Sequence, residues 1–101
     1  MFFLVLATDR PGMLQVRNEV KPIHGAYLRN PHHHVKVHLG GPTLTTCGDS
    51  MNGTLLVVEA DDISTVSDFV ADDPYAQAGV FQSIEIRPWA WTLGAPAEVL
   101  S

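Results

Sequence analysis

The sequence predicts an α+β fold of the ferredoxin-like type, a βαββαβ sandwich with two helices on one face of an antiparallel sheet. Strand and helix patterns follow one another in the order strand–helix–strand–strand–helix–strand, and two right-handed βαβ-type halves in this order form that sandwich. With 101 residues, 46% hydrophobic and 17% charged, the chain has the size of one small domain and is too apolar for a disordered segment. We expect a single domain over residues 1–101.

The first strand and helix are predicted from a change of hydrophobic period near residue 12. Phe2–Ala7 is a continuous apolar run, typical of a strand buried on both faces. Thr8–Gly12 then supplies a polar cap candidate and a proline, which favour a helix start. Apolar residues at helical spacing follow, namely Met13, Val16, Val20, Ile23 and Tyr27. Pro22 within this pattern predicts a kink or restart, and Pro31 predicts the end of the helix.

The remaining elements are predicted from alternation, a helix cap and apolar spacing. Val35–Leu39 alternates strictly and predicts a strand that stops at Gly40, and Thr54–Glu59 predicts the next one. Asp62 can cap a helix whose apolar positions are Ile63, Val66, Phe69 and Val70. Val80–Leu93 is the longest segment with strand character.

One face of the predicted sheet has no helix to cover it. Alternation along the last strand places Phe81, Trp89 and Trp91 on the same side. This is too much aromatic area to leave in water. We therefore expect a homodimer that packs sheet to sheet, with a higher oligomer left open.

Charge and cysteine content restrict the partners and the compartment. Six Lys and Arg against eleven Asp and Glu give a net charge of −5, and no segment concentrates the basic residues, so we expect no nucleic-acid partner. The six-residue run Phe2–Ala7 is too short for a signal peptide core or a membrane span. One cysteine, Cys47, suits a reducing compartment. These features together predict a cytoplasmic protein with no membrane partner.

His24 and Asp73 are the main candidates for chemistry. His24 lies about 80° from the centre of the apolar helical stripe, on its shoulder, where an imidazole can be half desolvated and still reach a ligand. The simpler interpretation is a partly exposed histidine that bonds a nearby carbonyl. Asp73 precedes Pro74 and is expected to cap a short turn, worth about 1 kcal/mol. The functional alternative is a carboxylate that orients the His24 ring.

Other polar residues are weaker candidates. Adjacent histidines in His32–His34 project to opposite strand faces, and His38 stands about 13 Å from His34 along the strand, so we expect no metal site. Tyr27, one turn from His24, is a candidate for substrate binding. Arg87 can contact an anionic ligand, although a cross-strand ion pair or stacking explains it more simply.

Several segments carry a resemblance to a known family. They are Thr8-Asp9-Arg10-Pro11-Gly12, Pro22-Ile23-His24-Gly25-Ala26-Tyr27-Leu28, Gly41-Pro42, Gly53–Glu59 with Ala60-Asp61-Asp62, Ala71-Asp72-Asp73-Pro74-Tyr75-Ala76-Gln77-Ala78-Gly79-Val80-Phe81, and Ile86-Arg87-Pro88-Trp89. In these segments the chain resembles the YCII-related family. The resemblance implies a ferredoxin-like fold of the dimeric α+β barrel group and an active-site histidine and aspartate, which the motifs assign to His24 and Asp73. Two departures are His32–His34, where a short glycine-containing turn is common, and Gly25, where alanine or a larger residue is usual.

These observations support two classes of function. The leading hypothesis is a cofactor-independent lyase, dehydrochlorinase or isomerase that acts on a small metabolite, since family members linked to catabolism act on cyclic, aromatic-derived compounds. His24 would be the general acid and base, Asp73 would orient its ring, and Tyr27 and Arg87 would be weaker substrate contacts. The alternative is a non-catalytic small-molecule-binding or accessory dimer module. A haem- and flavin-free monooxygenase on the same fold ranks third.

Overall fold

Between residues 1 and 97, the part of the chain that it describes, the computed structural model has four strands and three helices. They are β1 Phe2–Asp9, α1 Leu14–Arg29, β2 Lys36–Leu44, β3 Met51–Glu59, α2 Ile63–Ala71, α3 Pro74–Gln77 and β4 Phe81–Trp89. The strands form one antiparallel sheet in the order β2-β3-β1-β4. The predicted ferredoxin-like fold is confirmed. The last four residues of the predicted domain lie outside the described part.

The core lies between the helices and one face of the sheet. Strand β1 contributes Phe3, Val5 and Ala7 to this face, whereas Leu6 on the opposite face is 38% exposed. Burial of β1 on both faces, expected from its continuous apolar run, is therefore wrong for the single chain. The core cluster consists of Phe3, Val5, Val35, Leu56, Val58, Ala60, Val66, Phe69 and Val70.

Helix α1 departs from its sequence prediction at its start and at its proline. Its N-cap is Met13, which makes no side-chain cap hydrogen bond. The expected polar cap in Thr8–Gly12 is not used, because Thr8 and Asp9 belong to β1. The helix also passes Pro22 without a restart. Pro22 and Asn18 are both exposed, so water can hydrate the Asn18 carbonyl that Pro22 leaves without a donor.

The buried face of α1 is polar at its centre. Its buried residues are Arg17 and His24, seven positions and about two turns apart, while Ile23 is 62% exposed. The predicted apolar stripe is therefore rotated away from the true buried face, and its inclusion of Ile23 was wrong. His24 lies near the centre of that face and not on its shoulder.

Prolines occur in both edge strands of the sheet. Strand β2 does not stop at Gly40 but continues to Leu44 through Pro42, and β4 contains Pro88 and ends at Trp89. An edge strand tolerates proline because one side of its backbone makes no ladder hydrogen bonds. This tolerance is why the predicted stop at Gly40 was wrong.

The face of the sheet away from the helices carries an aromatic cluster. Phe2 contacts the rings of His38 and Trp91 at centroid distances of 5.5 and 5.7 Å, and Trp89 lies 5.6 Å from Trp91. Phe81 does not join them, because the β1–β4 register shifts between Thr8 and Asp9 and its ring contacts Tyr75 of α3 at 6.0 Å. The prediction that Phe81 shares a face with the tryptophans was wrong.

Tyr27 joins α1 to α2. Its hydroxyl donates to the Phe69 carbonyl at 2.7 Å, and the two rings stack with centroids 5.0 Å apart. Burial raises the pKa of Tyr27 to about 12, and the negative charges of Asp72 and Asp73 act in the same direction.

None of the helices within residues 1–97 combines the length and apolar character needed to cross a bilayer.

Tyr27 predicts a loss of stability at alkaline pH. Because folding raises its pKa from 10.0 to about 12, its stabilising contribution is complete below about pH 10 and is lost as the pH rises through about 12. In a Tyr75→Phe variant, where Tyr27 is the only tyrosine, we expect no phenolate absorbance from folded protein at pH 10. The same variant unfolded in urea should show phenolate absorbance at pH 10. Equal titration of Tyr27 in the folded and unfolded forms would contradict the prediction.

Candidate active site

His24 and Asp73 meet in the interior. The Nδ1 atom of His24 lies 2.8 Å from Oδ1 of Asp73, and the two residues are 8% and 2% exposed. An ionised carboxylate can only accept, so Nδ1 carries the proton in the neutral ring. The lone pair is then on Nε2, which has no hydrogen-bond partner among the described residues. The arrangement leaves one basic nitrogen for a ligand.

Asp73 also caps α3. The same Oδ1 atom accepts a hydrogen bond from the Tyr75 backbone N–H at 2.9 Å, and Pro74 occupies the first turn. The capping role and the contact with His24, treated as alternatives in the sequence, therefore occur together. Two donors hold the carboxylate in one position.

Tyr75 contacts both buried polar residues of α1. Its ring stacks on the His24 imidazole at 3.9 Å with an interplanar angle of 19°, and the Arg17 guanidinium carbon lies 4.5 Å from its centroid. Burial is the main cause that raises the pKa of the Tyr75 hydroxyl. The ring thus fixes the plane of the imidazole.

Arg17 is held by an acidic and a hydroxyl partner. Its Nε and Nη2 atoms donate to the two carboxylate oxygens of Asp9 at 2.7 and 3.0 Å, and Nη2 also donates to the Thr54 hydroxyl at 2.5 Å. The sequence analysis missed Arg17 and Tyr75. The spacing of seven residues between Arg17 and His24 was the available evidence, since it places both on one helical face.

A cavity of about 410 Å³ opens beside His24. Its walls come from α1, from the β2 segment around Gly40 and from the start of β3, and Arg17, Thr54 and Tyr75 line it together with His24. The volume falls in the range of small-molecule sites.

The structure does not bring Tyr27 or Arg87 to this cavity. The Tyr27 hydroxyl is bound to the Phe69 carbonyl. The Arg87 side chain is 69% exposed on the sheet and lies 3.6 Å from Glu85 of the same strand, so its ion pair forms within β4 and not across strands. Their suggested substrate contacts therefore have no geometric support in the single chain.

The histidine run is used in local contacts. His33 Nε2 donates to the Tyr27 carbonyl at 2.8 Å, and His38 Nε2 donates to Glu59 Oε1 at 2.9 Å. In the described range 1–97, no three His, Cys, Asp or Glu side chains are placed to hold a metal ion.

Comparison with known proteins gives the family. Residues 1–90 match the model of the YCII-related domain. The chain belongs to the YCII-related family. Protein YciI of Escherichia coli O6:H1 and an uncharacterized protein of Haemophilus influenzae are each 23% identical to it over 94 residues, which cover 88% of this chain and 96% of theirs. The expected resemblance is confirmed.

Solved structures of other proteins share the fold. The 5-chloro-2-hydroxyhydroquinone dehydrochlorinase of Burkholderia phenoliruptrix AC1100, in complex with 2,5-dihydroxybenzoquinone, is similar with a TM-score of 0.77 and 37% identity over 89% of this chain and 94% of that one. Protein Atu4242 of Agrobacterium tumefaciens has a TM-score of 0.55 at 12% identity, covering 95% of this chain and 98% of that one, and shows the fold alone. A family member of the same architecture is thus a small enzyme.

Replacement of Asp73 by alanine tests the double role of its carboxylate. Loss of the cap and of a buried hydrogen bond should lower the free energy of unfolding by about 2–3 kcal/mol. The His24 ring should also gain an Nε2–H tautomer, visible by ¹⁵N NMR of the imidazole, because nothing then holds the proton on Nδ1.

The matched control is Asp62→Ala, which removes the cap of α2 far from His24. It should lower stability without changing the His24 tautomer. An unchanged tautomer in Asp73→Ala would contradict the assignment of the proton to Nδ1.

Proposed function

We propose that this protein is a cofactor-independent enzyme that eliminates a small acid such as HCl from a hydroxylated cyclic compound. The observation that carries the proposal is the His24 ring, fixed by Asp73 and Tyr75, with its Nε2 atom left without a protein partner beside a cavity of about 410 Å³. The similarity to a dehydrochlorinase at 37% identity supports the reaction class.

His24 acts as the general base. Its Nε2 atom accepts a proton from a substrate hydroxyl and returns it to the ring carbon that carries chlorine, so that this carbon becomes tetrahedral and the oxygen becomes a carbonyl. Nε2 then accepts a proton from a second hydroxyl, that oxygen also becomes a carbonyl, and the carbon–chlorine bond breaks with chloride taking the bonding electrons. One proton and one chloride are lost, so the reaction needs no oxidant or reductant.

Asp73 acts through His24 and does not contact the substrate. Its carboxylate keeps the Nδ1 proton in place and stabilises the imidazolium that forms when Nε2 takes a second proton. Tyr75 lies against the ring and restricts its rotation. The proton then passes from Nε2 to water or to the product.

The cavity has room for one substituted six-membered ring. The Burkholderia dehydrochlorinase binds 2,5-dihydroxybenzoquinone, and a compound of that size is a reasonable ligand for the His24 cavity. We therefore propose chlorinated polyhydroxybenzenes as the first substrates to examine.

Replacement of His24 by glutamine tests the catalytic proposal. Chloride release from 5-chloro-2-hydroxyhydroquinone should fall about 10²–10⁴-fold, since a positioned acid–base group contributes about that factor. His32→Gln, an exposed histidine outside the cavity, should leave the rate unchanged. Equal rates in His24→Gln and the unmodified protein would refute the role of His24. Binding of 2,5-dihydroxybenzoquinone without turnover of any chlorinated analogue would favour the non-catalytic binding module.

We also propose a homodimer through the open face of the sheet. Large apolar side chains on this face remain exposed, namely Leu6, Leu39, Leu55 and Trp89 at 38%, 55%, 39% and 39%. An apolar surface of this kind favours association. A second copy of the chain presents the same surface, so the two faces are complementary in character.

Sedimentation of two single lysine variants tests the dimer. Leu55→Lys places a charge in the middle of the open face and should shift the protein to a monomer, whereas Ile23→Lys adds the same charge on exposed α1 and should remain dimeric. A monomeric unmodified protein, or equal behaviour of both variants, would refute the interface.

A further inference from the structure

Basic side chains gather around the His24 cavity although the chain is acidic. A second cavity of about 610 Å³ adjoins the first and shares Gly25, Leu28, Arg29 and Gly40 with it. Four of the six basic residues of the chain line one or both, namely Arg17, Lys21, Arg29 and Lys36. No acidic residue of the described part lines either.

Acidic residues concentrate elsewhere. A separate cavity beside α2 is lined by four carboxylates, those of Asp61, Asp62, Asp68 and Asp72. The carboxylates near the His24 cavity are already bound, because Asp9 accepts two hydrogen bonds from Arg17 and Asp73 accepts from His24 and Tyr75. The charges of Lys21 and Arg29 therefore determine the sign of the potential at the cavity mouth.

Arg17 is already held by the protein on several sides. Its Nε and Nη2 atoms bind Asp9 and Thr54, its guanidinium lies over the Tyr75 ring, and it also interacts with the Tyr75 hydroxyl. Arg17 therefore forms a fixed part of the cavity wall, and the positive charge that a ligand can reach comes from the exposed residues Lys21 and Arg29.

Arg29 lines both cavities and lies against α1 beside Gly25. A Cβ atom at position 25 would lie 2.8 Å from Arg29 Nη1, but this atom is the far end of a flexible side chain and can move aside at little cost. The guanidinium therefore lies where the two cavities join, without depending on Gly25 for its place there.

We propose that the His24 cavity selects an anionic substrate, a cyclic compound with an ionised phenolic, enolic or carboxylic oxygen. Lys21 and Arg29 attract the charge at the mouth, where both line the cavity. The assignment rests on the proposed function for the cyclic nature of the ligand. An ionised ring oxygen also supplies electron density that helps to expel chloride.

Two quinones that differ mainly in charge test this selection. 2,5-Dihydroxybenzoquinone is a vinylogous acid and is ionised at neutral pH, whereas 2,5-dimethoxybenzoquinone is neutral. In a Cys47→Ser background, which removes the exposed thiol that would add to quinones, calorimetry should show about tenfold or greater preference for the anion. The preference should shrink at high ionic strength.

Charge-matched variants identify the residues. Arg29→Gln and Lys21→Gln should each weaken binding of the anion about fivefold to tenfold and leave the neutral quinone unaffected. Arg10→Gln makes the same change of charge at an exposed residue that lines neither cavity and should have no effect. Equal affinity for both quinones, or an equal loss in Arg10→Gln, would overturn the proposal.

The outcome is separable from that of the proposed reaction. His24→Gln should abolish turnover while retaining the preference for the anion, because the cationic residues remain. Loss of turnover in His24→Gln without any anion preference would leave the enzyme proposal standing and refute the selection. If the unmodified protein prefers the anion but turns over no chlorinated compound, the selection stands and the proposed reaction is refuted.

Discussion

Helix α1 buries Arg17 and His24 against the sheet, and each of these polar groups needs a partner in the interior. Asp9, at the end of β1, binds Arg17, and Asp73, before α3, binds His24. The two contacts join the first helix to the first strand and to the second half of the chain. For a buried pair of two charges such as Arg17 and Asp9, removal of one member costs about 3–5 kcal/mol in general. The need to satisfy these groups therefore fixes how α1 is seated on the sheet.

A single carboxylate oxygen links local folding to chemistry. Oδ1 of Asp73 caps α3 by accepting from the Tyr75 amide, and it also orients the His24 ring. The Tyr75 ring then lies against both the imidazole and the Arg17 guanidinium. In a chain of this size, few residues are available for positioning alone, so a residue that starts a helix also orders the site.

The order of strands and helices follows from hydrophobic period, and the sequence predicted it correctly because β1, β3 and α2 bury apolar side chains. The same rule failed on α1. Hydrophobicity pointed to Ile23, which is exposed, and away from Arg17, which is buried, because the helix uses its core face for polar groups. His24 and Asp73 were found from helical position, a proline and a family motif. Tyr75 and Arg17 depend on contacts between distant elements, and only the seven-residue spacing between Arg17 and His24 pointed to one of them.

Prolines at both margins of the sheet limit how copies of this chain can associate. Pro42 in β2 and Pro88 in β4 each interrupt the row of amide donors that an incoming strand would need. Growth of the sheet from either edge into an amyloid-like ribbon is therefore disfavoured, even though its open face is apolar. The proposed dimer uses that face and not the edges. The protein should accordingly resist fibril formation at concentrations where an unprotected four-stranded sheet would polymerise.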